Sequence, residues 1–257
     1  VGTVASNVNS FLNSVLSVSD KWNHDTRRVI NLVENSHKKI QSIDLANPNS
    51  IQKILDKLHV RLFTFFGVLS ESMPRDSGYY LLEAGKLTER ILSKIRILRS
   101  FFSFKNEENV ENELIEAALN NHYLMEYYRQ LYKTNFSLET MLDMVLLDEK
   151  LPYSLAYQLD ALAYCLAQLP KTGPSDRLNQ AEKAVLAAST KIKLADISKL
   201  TISKSNVSFR RNLDRLLSEV ADSISSVTIN LTNAYFAHTV IQHVLMENPE
   251  NSDAHEI

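Results

Sequence analysis

The chain has 257 residues, 44% of them hydrophobic and 23% charged, with a formal net charge of -2. This balance excludes a disordered chain, and it offers no basic footprint for general nucleic-acid binding. The single cysteine, Cys165, excludes an internal disulfide and a Cys-rich metal site and fits a reducing compartment.

Five glycines and six prolines are few for this length, so long helices are favoured over a many-stranded fold. No uninterrupted apolar run approaches the roughly 20 residues of a membrane span. The length suits one large helical domain or two small ones.

Thr3 is placed to cap a first helix carrying Val4, Val8, Phe11, Val15 and Val18, interrupted at Trp22 and Asn23. A second helix is predicted over about 25–40, with Val29, Ile30 and Val33 apolar. Asn47-Pro48-Asn49-Ser50 reads as a turn and cap before a third helix over 51–70. Asp76 or Ser77 caps a fourth, on which Tyr80, Ala84, Leu87, Ile91, Ile95, Leu98 and Phe102 recur at gaps of three and four. Residues 105–112 read as an exposed loop. Further helices are predicted over 113–133, 137–147 (capped by Ser137), 154–169 (capped by Ser154), 176–199 and 209–246, with a linker over 170–174 and a polar loop over 201–208. The expectation is an all-α multi-helix bundle of eight or nine helices with no sheet, one domain over 1–246, and a disordered tail over 247–257.

The fourth helix organises this pattern. A second apolar set, Leu82, Gly85 and Leu92, lies nearly opposite the first, which predicts a central helix. Glu89 lies on that second face, and Arg90 points about 100° away. Adjacent residues cannot pair within a helix, so both are expected to be mostly buried and paired with groups on other segments, Arg75, Asp76 or Asp148.

One internal similarity stands out. Val1-Gly2-Thr3-Val4-Ala5 lines up with Pro152-Tyr153-Ser154-Leu155-Ala156, and at the same offset Val8, Phe11, Val15 and Val18 meet Leu159, Leu162, Leu166 and Leu169. A competing match pairs Pro48 with Pro152 and Ser50 with Ser154, and the two cannot both be one repeat. The first is favoured.

Arg75, Asp76, Glu83, Glu89, Arg90 and Asp148 are the charged residues that invite a functional reading. They suit surface ion pairs, a cluster that registers the helices, or acid–base catalysis by paired carboxylates. Lys86, Arg90, Lys94, Arg96 and Arg99 go around one helix, which suits a solvated helix more than an anion groove. Tyr123, Tyr127, Tyr128 and Tyr132 read as core packing with hydroxyls at the rim. His122 and His238 read as structural. Phosphate-loop, nucleophile-elbow and zinc-protease motifs are absent from the sequence.

The segment Glu71-Ser72-Met73-Pro74-Arg75-Asp76-Ser77-Gly78-Tyr79-Tyr80, followed by Gly85-Lys86-Leu87-Thr88-Glu89-Arg90, resembles the alpha-E family, a bacterial all-helical domain named for a Glu-Arg motif. The family pattern is roughly Met-x-Arg-Asp-x-Gly-Trp and then Gly-Arg-x-x-Glu-Arg. Tyr79 stands where Trp is common and Lys86 where Arg is common, so size and charge are kept. Leu146-Leu147-Asp148 with Pro152-Tyr153-Ser154-Leu155, the stretch Trp22-Asn23-His24-Asp25-Thr26-Arg27-Arg28-Val29, and Tyr235-Phe236 agree as well.

The resemblance implies a cytoplasmic domain fused to, or encoded in one operon with, an ATP-grasp ligase that joins a carboxylate to an amine. It implies a non-catalytic partner or substrate-presenting module in peptide synthesis or tagging. The alternative is an enzyme in its own right that uses Glu89 in a helical cleft, with Arg75, Asp76, Glu89, Arg90 and Asp148 the candidate residues. ATP-grasp motifs do not occur in the sequence, and no cofactor, metal, nucleic acid or membrane is expected. A homo-oligomer is possible on this reading. The family has an earlier Gly-Arg-x-x-Glu-Arg helix that has no match before Gly85, so the expectation is a C-terminal piece that lacks its first helix. The Leu82–Gly85–Leu92 face is then expected to be exposed, filled by another protomer or covered by rearranged helices.

Overall fold

The structure is a computed structural model and describes residues 2–42, 47–121, 123–133, 136–171, 177–203 and 208–236. The tail over 247–257, the end of the last helix, His122, His238, residues 172–174 of the predicted linker and residues 204–207 of the predicted polar loop lie outside the described residues. The described residues form eleven α-helices and no sheet, in two compact units that divide after Arg75.

The first unit contains α1 (Val4–Leu16), a 3-10 turn (Ser19–Lys21), α2 (His24–Gln41) and α3 (Pro48–Ser72). Thr3 caps α1 by accepting from the Ser6 amide, and Asn23 caps α2 by accepting from Thr26. Pro48 opens α3 in the first turn, where its missing N–H costs nothing, and Asn47 caps it. Val8, Leu12, Val15, Ile30, Val33, Leu69 and Phe65 are among the unit's buried apolar residues. The Phe65 ring meets Phe11 edge-on at 5.0 Å and Trp22 at 6.3 Å. Trp22 also donates its indole N–H to the Val15 carbonyl at 2.7 Å, satisfying the end of α1.

The second unit contains α4 (Ser77–Phe102), α5 (Glu108–Asn121), α6 (Met125–Tyr132), α7 (Leu138–Leu147), α8 (Leu155–Ala167), α9 (Gln180–Lys193), α10 (Ile197–Thr201) and α11 (Arg211–Tyr235). Helix α4 packs on α8 and α11, and α9 packs on the same two helices. The predicted stripe Ala84, Leu87, Ile91, Ile95, Leu98 and Phe102 is buried. Asp76 caps α4 by accepting from Tyr79, and Ser154 caps α8 by accepting from Tyr157.

Two predicted helices are each broken in two, which raises the count from eight or nine to eleven. The 113–133 segment breaks at Tyr123, whose φ of 56° leaves the helical region, and the Leu124 N–H turns back to the Leu119 carbonyl at 2.8 Å. The 176–199 segment begins at a capping box of Asn179 and Glu182 and breaks before Asp196, which caps α10. Part of the predicted loop over 105–112 is helical, because α5 starts at Glu108 with Glu108 and Glu111 in its first turn, where acidic side chains favour a helix. Ser137 occupies the cap position of α7 without a side-chain cap; its own N–H instead donates to the Tyr128 hydroxyl at 3.1 Å.

The second apolar face of α4 is not core. Leu82 and Leu92 are half-buried, and Gly85 is exposed, with nothing within 4 Å of where a Cβ would stand. In the internal match, Thr3 and Ser154 cap equivalent helix starts. Pro48, by contrast, is inside its helix whereas Pro152 precedes the cap of α8, so the competing match does not align in structure.

Candidate functional site

The expectation that Glu89 and Arg90 are buried and paired is corrected by the structure. Both are exposed, and neither makes a hydrogen bond or an ion pair among the described residues. The buried stripe of α4 passes through Leu87 and Ile91, and Glu89 lies about 200° round from Leu87, on the far side of the helix.

Their supposed partners act elsewhere. Arg75 donates to the Ser70 carbonyl at 2.6 Å and to the Met73 carbonyl at 3.3 Å, closing the end of α3. Asp76 is the cap of α4. Asp148 ends α7; it accepts from the Tyr127 hydroxyl at 2.9 Å and from the Lys150 amide at 2.9 Å, and its carbonyl accepts from Ser154. Glu83 pairs with Lys86 one turn on at 2.5 Å. Asp76, Glu83 and Asp148 are thus each engaged by groups close to them in the chain or by Tyr127. The tyrosine expectation holds in part: Tyr128 is fully buried with its hydroxyl on Thr140 at 2.7 Å, and Tyr127 and Tyr132 pack half-buried against the core with Tyr132 reaching Asp143 at 3.4 Å, but Tyr123 is exposed, at the break between α5 and α6.

Glu89 does line a groove. It runs between α4 and α11, has a volume of about 640 Å³, and carries Leu92, Ile95, Arg96 and Arg99 on the α4 side and Asp214, Ala221 and Ser225 on the α11 side. Arg99 Nε donates to Asp214 at 2.9 Å, and Ser103 donates to the same oxygen at 3.2 Å. Phe104 and Phe209, rings 5.1 Å apart, close one end.

That end is held by Arg210, which sequence reading missed. Its side chain is 4% exposed and donates to the carbonyls of Phe102, Phe104 and Thr201 at 3.1, 3.0 and 3.1 Å and to the Glu111 carboxylate. Lys94, expected on a solvated helix with Lys86, Arg90, Arg96 and Arg99, is instead in the core, because its position three after Ile91 puts it on the buried side of α4. It is fully buried at 1% exposure, its Nζ has no hydrogen-bond partner, and burial, aided by the charge of Arg90, lowers its pKa to about 7.

In the first unit a groove of about 630 Å³ between α2 and α3 is lined by Asp25, Arg28, Thr64 and Glu71. Asp25 and Arg28 belong to the family-like stretch Trp22–Val29, so each unit places motif side chains on a groove. Among the described residues no group of three or more His, Cys, Asp or Glu is arranged to hold a metal ion, and no helix is long and apolar enough to cross a membrane.

An all-helical chain with an exposed Glu-Arg pair on a long helix defines the class, and comparison with known proteins agrees. The chain belongs to the alpha-E family, described as a predicted alpha-helical domain with a conserved ER motif, which matches residues 1–236. Glu89-Arg90 is the one Glu-Arg pair in the sequence. Uncharacterized proteins of Mycobacterium tuberculosis and Mycobacterium bovis are 27% identical over 239 residues, covering 92% of this chain. The chain spans 27% of the length of these curated relatives. No solved structure matches it.

Proposed function

We propose that this chain is a non-catalytic helical module that docks a partner or presents substrate for an ATP-grasp carboxylate–amine ligase, encoded in the same chain or operon of a bacterial cell and acting in the cytoplasm in peptide synthesis or tagging. The observation that carries the reading is the exposure of Glu89 and Arg90 without partners. A motif that held the fold together would be buried and bonded. A motif by which the family is described, left open to solvent beside a groove, suits recognition. The test is a pull-down with the ATP-grasp protein of the same operon, joined to an ATPase assay with and without this chain. Capture and a changed ATPase rate are expected; absence of both overturns the reading.

The second reading, an enzyme using Glu89 in a helical cleft, is favoured by the place of Glu89 on the groove wall. Turnover of a peptide by the isolated chain, lost in Glu89→Gln, would select it.

A further inference from the structure

Glu89 and Arg96 stand seven positions apart on α4. That is two turns, about 10.5 Å along the axis, and it puts both on one face. Both line the α4–α11 groove, and neither makes a hydrogen bond or an ion pair among the described residues. The other two charges of the groove, Arg99 and Asp214, neutralise each other. Between Glu89 and Arg96 the floor is apolar, formed by half-buried Leu92 and buried Ile95, and Ala221 on α11 keeps the opposite wall low. The groove is therefore neutral overall but dipolar, with an open anion at one position and an open cation two turns on.

A simple anion or cation satisfies one of these charges and is repelled by the other. A ligand carrying both matches both. At about 3.3–3.6 Å per extended residue, a chain of about three residues sets a terminal ammonium and a terminal carboxylate at that separation. The volume of about 640 Å³ falls among those of small-ligand sites.

We propose that the α4–α11 groove binds a short zwitterionic peptide, with its N-terminal ammonium on Glu89 and its C-terminal carboxylate on Arg96. This names a substrate class for the presenting face, and it rests on reading that face as a presenting site. The backbone between the two ends lies over Leu92, and the Phe104–Phe209 pair beyond Arg96 is available to an apolar side chain.

The test is calorimetric titration of the whole chain with trialanine, N-acetyl-trialanine and trialanine amide. Trialanine is expected to bind, and each blocked form to bind about tenfold more weakly, as loss of one charged hydrogen bond implies. Glu89→Gln should weaken trialanine by the same factor and leave N-acetyl-trialanine unchanged; Arg96→Met should do so against trialanine amide. Equal affinity for all three ligands, or no binding of trialanine at millimolar concentration, overturns the assignment.

The ATP-grasp pull-down separates the two readings. Capture without trialanine binding leaves the module standing and removes the ligand. The expected trialanine pattern without capture or an ATPase effect does the reverse. Capture abolished by Glu89→Gln and Arg96→Met, with no trialanine binding, gives the groove to a partner segment instead.

Discussion

The ammonium of Lys94 lies 5.9 Å from the centre of the Tyr153 ring, at the outer reach of a cation–π contact, and has no hydrogen-bond acceptor. The Gln158 amide lies by the same turn, donating to the Pro152 carbonyl at 3.3 Å while its Oε1 is also unpartnered. The α4–α8 interface thus buries two polar groups at a cost.

Desolvation lowers the Lys94 pKa from 10.5 to about 7. The unfolded chain therefore binds one proton more than the folded chain between those values, so stability rises with pH across that window and is insensitive to this group below it. At pH 7 the penalty is on the order of 4 kcal/mol. Lys94→Met keeps the apolar stem and removes the charge, so it should stabilise the protein by a few kcal/mol, on the order of that penalty, and flatten the rise between about pH 7 and 10. Urea melts of parent and variant across that range check this. A less stable variant would mean that the ammonium has a favourable partner.

How much of this could be read in advance follows from where each signal lies. The stripe from Ala84 to Phe102 repeats at the helical period, and the caps Thr3, Asp76 and Ser154 precede their helices directly, so these were legible. The break at Tyr123 depends on a positive φ that no glycine or proline announces. Burial of Arg210 depends on carbonyls more than 100 positions away at the end of α4. Glu89 and Arg90 were misjudged because a second apolar set on α4 suggested a second packed face, whereas Gly85 on that face meets no neighbouring side chain. The groove itself is a relation between α4 and α11, which no local pattern contains.

Arg210 ties the end of α4 to α5, α10 and α11 through three carbonyls and Glu111. Arg210→Met leaves those acceptors and a nearly buried carboxylate without their donor. The expected loss is about 3–5 kcal/mol, with Glu111→Gln costing less because the carbonyl bonds survive. Chemical denaturation of both variants checks the order. Equal losses would locate the stabilisation in the ion pair alone.

Tyr128 joins α6 to α7 through one hydroxyl, which meets Thr140 at 2.7 Å and accepts from the Ser137 N–H at 3.1 Å. Tyr128→Phe keeps the ring in the core and strands that N–H, so a loss of about 1–3 kcal/mol is expected. Thr140→Val removes the bond to Tyr128 and the one Thr140 donates to the exposed Ser137 carbonyl at 3.0 Å, but it leaves the Ser137 N–H on the Tyr128 hydroxyl and should cost less. Thermal melts of the pair measure the difference.

Glu89 and Arg90 supply the last prediction. If the Glu-Arg pair were a structural clamp, removing either member would leave an uncompensated charge in the bundle and cost about 3–5 kcal/mol. The exposure of both residues argues the opposite outcome. Glu89→Gln and Arg90→Met should melt within about 0.5 kcal/mol of the parent, as exposed substitutions without partners do. Capture of the proposed ATP-grasp partner should fall in the same samples, with Glu89→Gln the more severe because Glu89 lines the groove. Melting curves and pull-downs on one preparation separate the two properties. A large stability loss in either variant would return the motif to a structural role.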